Sequence, residues 1–128
     1  TKFCLPLLMK QPASAIINIS SPLALVPKES APLYSATKAA VKVFSQVLRY
    51  QLESTTVRVF TVYPPLVATA MTEGRGEKIK ISPEEFASAM LEGLERDQYE
   101  MPIKKAKLLF LLYRLWPSLA HKLMRKGI

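Results

Sequence analysis

Two short runs rich in β-branched and aromatic residues, Ala15-Ile16-Ile17-Asn18-Ile19 and Val57 to Tyr63, flank a stretch from about Leu33 to Ser54 without glycine or proline. That arrangement constrains the fold more than any other feature of the chain. Within the stretch Ala36, Ala40, Val43, Phe44 and Val47 recur at steps of three and four, the repeat of one helical face. A short apolar run closed by turn formers suits a strand buried on both faces, as in a parallel sheet. Ser20-Ser21-Pro22 closes the first run and Pro64-Pro65 the second. Strand, helix, strand then implies a right-handed parallel crossover and an α/β fold.

The flanking segments fit that frame. Residues 1–10 read as the end of a helix, with Phe3, Leu7 and Leu8 at helical spacing and Pro12 beyond. Leu23 to Pro32 contains Pro27 and Pro32 and reads as a loop, as does Thr72 to Lys80 with Gly74 and Gly76 among charges. Ser82-Pro83-Glu84-Glu85 carries an N-cap serine, a proline at the first helical position and a glutamate at the capping-box position, so a helix runs from about Pro83 to Glu95. Two basic helices follow, Lys104 to Trp116 and Ser118 to Lys126, broken at Pro117.

Composition narrows the partners. The 128 residues include 18 Lys+Arg against 10 Asp+Glu, and all the imbalance except one charge sits in residues 101–128, which hold Lys104, Lys105, Lys107, Arg114, Lys122, Arg125 and Lys126 and no acid. With 49% apolar and 22% charged residues, neither disorder nor a fibrous repeat fits. The longest apolar run, Leu108 to Tyr113, is far too short to span a bilayer. A lone cysteine, Cys4, permits no intrachain disulfide and no thiolate metal cluster, reads as a buried packing thiol, and fits a reducing, cytoplasmic compartment. His121 has no ligand-type neighbour at metal spacing and reads as surface or packing; no metal site is expected. Met71, Met90, Met101 and Tyr99 read as core or pocket filler. The tail is apolar nearly all round from Leu108 to Leu115 and needs burial on several sides. It packs as a lid or against a second subunit, or it lies on an anionic membrane through its charges and Trp116, giving a peripheral, membrane-associated protein. No nucleic-acid motif accompanies the charge.

One constellation carries chemistry. Tyr34 and Lys38 stand four apart at the start of the long helix, so their side chains share a face. Tyrosine, with an ordinary pKa of about 10, is a poor acid or base at neutral pH, and a nearby ammonium favours its ionised form. Ser21 follows the first strand at its carboxyl end, where open parallel sheets bind ligands. Serine, tyrosine and lysine converging there would form a proton-transfer site.

The text Asn18-Ile19-Ser20-Ser21, followed by Tyr34-Ser35-Ala36-Thr37-Lys38-Ala39-Ala40 with 13 positions from Ser21 to Tyr34, resembles the short-chain dehydrogenase/reductase family. The resemblance runs from about Phe3 to Arg96, with its motifs between Ala15 and Met71. It implies the C-terminal half of a Rossmann-type doubly wound parallel sheet over residues 1–100, with 101–128 a basic helical extension packed on the same domain. It implies Ser21, rather than Ser20, as the catalytic serine holding the substrate oxygen, Tyr34 as proton donor or acceptor, and Lys38 as partner of both Tyr34 and the nicotinamide ribose. Pro64-Pro65-Leu66-Val67-Ala68-Thr69 matches the family's cofactor loop, with contacts implied through Val67 and Thr69; Pro65 replaces the usual glycine. Met71 to Lys80 matches its flexible substrate loop.

The family's glycine-rich pyrophosphate turn and its Asn-Asn-Ala-Gly strand have no match here; the glycines are Gly74, Gly76, Gly93 and Gly127. The chain therefore reads as half of a reductase, leaving a two-stranded sheet remnant with an exposed edge. The implied activity is NAD- or NADP-dependent interconversion of a carbonyl and a secondary alcohol, in a homodimer or homotetramer. The alternative is a non-catalytic interaction or membrane-surface module derived from a truncated reductase.

Overall fold

The computed structural model describes residues 1–74 and 76–126. Its framework is a parallel sheet in the order β1 (Ser14–Ile19), β2 (Val57–Tyr63), β3 (Glu100–Pro102). Ser14 pairs with Val57 and Ile19 with Val62, while β3 joins the other edge of β2 from Thr61↔Glu100 to Tyr63↔Pro102. The helices are α1 (Leu5–Leu8), α2 (Pro32–Gln51), α3 (Pro83–Glu95), α4 (Lys105–Leu115) and α5 (Pro117–Arg125).

The two-residue period of β2 sorts the core onto two faces. Val57 and Val59 pack with Leu48 of α2 and with Leu52, its C-cap, joined by Leu5, Leu8 and Ile16. Phe60 and Val62 point to the other side and pack with Met101, Ile103 and the α3 residues Phe86, Met90 and Leu94. Each fully buried side chain of this size contributes roughly 1.5–3 kcal/mol, so α2 and α3 hold the sheet from opposite faces. At Gly93 a Cβ would come within 2.4 Å of Met101 Sδ, which is how closely α3 approaches β3.

The helix starts follow local chemistry. Ser82 Oγ accepts from Glu85 N at 3.0 Å and Pro83 occupies the first helical position, both as the sequence indicates. The Glu85 carboxylate accepts from Lys104 Nζ at 3.0 Å, which ties α3 to the start of α4.

Several expectations are corrected. The sheet has three strands, not two: β3 is three residues long and ends in proline, too short to carry a period, and exists because β2 offers it an edge. β1 is buried on one face only; Ile16 and Asn18 face α2, whereas Ile17 and Ile19 stay exposed because the α3 cluster on the other face reaches β2 and β3 but not β1. The N-terminal helix is a single turn, and α2 stops at Gln51, three residues early. Cys4 is exposed, since it caps that turn and lies outside the core. Met71 is largely exposed and Tyr99 is partly so, stacking on Phe60 at 5.3 Å between centroids. The glycine loop, Thr72 to Lys80, begins at the end of one 3-10 turn, Ala70–Thr72, and contains another, Glu77–Ile79, with Arg75 outside the described residues. The tail is not buried on all sides: Phe110 packs edge-on against Tyr63 at 4.7 Å, yet Leu108, Leu111 and Leu115 face outward. His121 does serve packing, edge-on to Tyr113 at 5.7 Å.

Candidate active site

Parallel strands direct their carboxyl ends to one edge of the sheet, and the chain continues there from Ile19 into Ser20-Ser21 and from Tyr63 into Pro64-Pro65. Lys38, in the second turn of α2, is tied to that edge twice. Its Nζ donates to the Ile19 carbonyl at 2.9 Å, and its own carbonyl accepts from Ser20 Oγ at 2.8 Å. Lower in the same helix, Asn18 Nδ2 donates to Ser45 Oγ at 2.9 Å, so α2 is registered against β1 by polar contacts at both levels.

The four-residue spacing has the expected result. The Lys38 ammonium lies 5.6 Å from the centroid of the Tyr34 ring. Tyr34 is 43% exposed, and its hydroxyl has no hydrogen-bond partner among the described residues. Ser21 is buried, and its Oγ accepts from Leu23 N at 3.2 Å, capping the 3-10 turn Pro22–Ala24. The two serines are thus differently committed. Ser20 gives its proton to the Lys38 carbonyl, whereas the bond to Ser21 uses only a lone pair and leaves its O–H free.

The loop after β2 is pinned by a short parallel bridge between Val67 and Ile81, through Ala68 N to Ile81 O at 2.9 Å and Ile81 N to Leu66 O at 3.0 Å. The Val67 carbonyl accepts from Thr72 Oγ1, while its N–H has no partner among the described residues. Thr69 N donates to Thr72 Oγ1 at 3.2 Å and the two hydroxyls lie 3.5 Å apart, so Thr69 caps the turn Ala70–Thr72. Pro64 and Pro65 are partly buried and lead from the strand into this bridge. The structure therefore brings Lys38 to Tyr34 and to the segment preceding Ser21. Two open grooves, of about 650 and 460 Å³, lie elsewhere: one between α5 and the face of α2 carrying Ser35 and Ala39, the other between Lys80 and Leu108.

One polar hub escaped sequence reasoning. Arg49 donates through Nε to Val59 O at 3.0 Å and through Nη2 to Thr61 Oγ1 at 3.2 Å and Glu100 Oε1 at 3.1 Å. The other Glu100 oxygen accepts from the buried Tyr63 hydroxyl. Burial, then the hydrogen bond and charge of Glu100, push the Tyr63 hydroxyl far above its ordinary pKa. No local spacing announces a cluster whose members, Arg49 to Glu100, are spread over 51 positions.

Comparison with known proteins agrees with this architecture. The family model described as short chain dehydrogenase matches residues 1–80. An uncharacterized oxidoreductase of Bacillus subtilis, DltE, is 41% identical over 101 residues, which cover 75% of this chain and 40% of that protein. One from Staphylococcus epidermidis is 36% identical over 97 residues, covering 74% and 42%. The chain thus spans about two-fifths of the length of these relatives. Among solved structures, a short chain dehydrogenase from Burkholderia cenocepacia in complex with NADP superposes with a TM-score of 0.85 at 29% identity, over 92% of this chain and 49% of that one. A bulky-bulky ketone specific alcohol dehydrogenase from Comamonas testosteroni shares the fold, with TM-score 0.66, 23% identity and 96% and 48% coverage. The matched family model, the oxidoreductase relatives and the parallel α/β sheet together make this chain a Rossmann-type member of the short-chain dehydrogenase family.

Proposed function

We propose that this chain forms the catalytic portion of a nicotinamide-dependent oxidoreductase that interconverts a small-molecule carbonyl and a secondary alcohol. The observation that carries the reading is the position of Lys38, bonded to the last carbonyl of β1 and 5.6 Å from the Tyr34 ring centroid. The free donors fit a dinucleotide's nicotinamide end. Lys38 has spent one of three N–H donors on Ile19 and keeps two for ribose hydroxyls, and the Val67 N–H suits a carboxamide oxygen. NAD or NADP, when bound, supplies or accepts the hydride. The NADP bound to the Burkholderia relative supports this cofactor class.

In the reduction direction the Tyr34 hydroxyl gives its proton to the carbonyl oxygen as the carbon receives hydride; oxidation runs the same transfers backwards, the ionised Tyr34 oxygen taking the alcohol proton. The Ser21 hydroxyl donates to the substrate oxygen and holds it in place. The Lys38 ammonium stabilises the negative charge that develops on Tyr34. The same reading includes a homodimer or homotetramer, built on the exposed apolar face of α2 at Val43, Phe44 and Val47.

The test compares NADH and NADPH binding, by fluorescence titration, for this chain and for a chain extended upstream, then follows carbonyl-dependent oxidation. Tyr34→Phe should cut turnover by roughly a hundredfold or more, the usual range of a general acid–base, with cofactor binding retained. Unchanged turnover would remove Tyr34 from the mechanism. Failure of both chains to bind either dinucleotide would favour a non-catalytic interaction module.

A further inference from the structure

The two C-terminal helices present an outward face that the other described residues leave uncovered. On α4, Leu108, Leu111 and Leu115 follow one another at steps of three and four and are 70%, 53% and 56% exposed. Leu119 and Leu123 continue the pattern on α5, and the half-exposed Trp116 joins the two helices at Pro117. Inward-facing positions behave oppositely: Ala106 and Ala120 are buried, and Phe110 packs on Tyr63.

Charge surrounds this face without a single acid between residues 101 and 128. Lys104 pairs with Glu85 and Arg125 with Glu29. Among the described residues Lys105, Lys107, Arg114, Lys122 and Lys126 have no ion pair. A second copy docking by the same face would oppose these cations to themselves, and a nucleic acid would gain nothing from exposed leucines. An anionic bilayer surface satisfies both features, since leucine and tryptophan enter the headgroup boundary while lysines remain at the phosphates. Among the described residues no helix is long and apolar enough to cross a membrane, so the contact is a flat one.

We propose that the outer face of α4 and α5 docks this protein on an anionic lipid surface. The experiment is sedimentation of the full chain with vesicles of phosphatidylcholine alone and with roughly one-third phosphatidylglycerol, together with Trp116 emission. Binding should appear only with phosphatidylglycerol, weaken with added salt and shift the emission to the blue. Replacing Lys105, Lys107 and Lys122 together by glutamate should lower partitioning on the order of a hundredfold, at about fivefold per cation. Leu108→Ser with Leu111→Ser should weaken binding and abolish the emission shift. Phe3→Ser with Leu7→Ser should change neither, because these exposed apolar side chains lie near the N-terminus, outside α4 and α5. The proposal is overturned if the unmodified chain ignores both vesicles, binds both equally, or loses binding as much through the Phe3 and Leu7 variant. Self-association through the α4 and α5 face, lost in the leucine variant, would likewise overturn it.

Discussion

Replacing Arg49 by methionine removes the guanidinium while keeping most of the stem's packing. The cost can be worked out from the ladder. Thr61 N bonds Tyr99 O and Ile103 N bonds Tyr63 O, so the odd-numbered residues of β2 direct their backbone groups toward β3. The β3 pairing begins only at Thr61, which leaves the Val59 carbonyl beyond the end of that ladder, where Arg49 Nε serves it. Without Arg49 a carbonyl of a nearly fully buried residue is orphaned, at about 1–3 kcal/mol. Loss of the Glu100 pair adds less, about 0.5–1 kcal/mol, because the two side chains remain 23% and 40% exposed. Arg49→Met should therefore destabilise by roughly 1.5–4 kcal/mol, with water entry setting the lower end. Arg49→Lys should recover little, since one ammonium cannot reach a carbonyl, a hydroxyl and a carboxylate that a planar fork spans together. Urea unfolding at constant slope gives both numbers. A loss under about 0.5 kcal/mol for methionine, or full rescue by lysine, would refute the argument that this carbonyl depends on Arg49.

Four further outcomes follow from the same structure. Gly76 has φ +60° and a Cβ there would come within 2.6 Å of Leu66 Cδ1, so Gly76→Ala should cost about 1–2 kcal/mol in thermal unfolding, whereas Ser82→Ala should cost about 1 kcal/mol by uncapping α3. Hydrogen bonds and charge from Lys104 hold the Glu85 carboxyl below its ordinary value, as Lys80 holds Glu77; their contribution is present above the ordinary carboxylate range and lost as pH falls through the lower native values, so Glu85→Gln should flatten the acid limb of a stability–pH curve, most visibly at low salt. Tyr63 shifts the opposite way, so the native state holds its proton where the unfolded chain releases it; stability should fall as pH rises past about 10, and Tyr63→Phe should remove that slope.

The elements with a strong period are legible in the sequence itself. Val57–Tyr63 and Pro83–Glu95 have the predicted bounds, and the long helix differs by only a few residues, because alternation, capping and an unbroken apolar stripe are local properties. The Tyr34–Lys38 pairing is equally legible, since helical geometry alone brings positions four apart together. That Ser20, not Ser21, spends its proton on α2 is not, because it depends on how the helix docks against β1.

Local sequence thus determined the strand–helix–strand order, the helix caps, the turn-forming prolines and the side of α2 on which Tyr34 and Lys38 meet. Tertiary structure alone decided that Glu100–Pro102 becomes a strand, that Arg49 closes the ladder at Val59, that Cys4 stays exposed and that one face of β1 is uncovered. It also decided that the leucines of α4 point outward, where amphipathic spacing alone leaves their burial open. The division has one cause. Periodicity and capping act within a few residues, whereas edge pairing, burial and ion networks depend on which distant segments the folded backbone brings side by side.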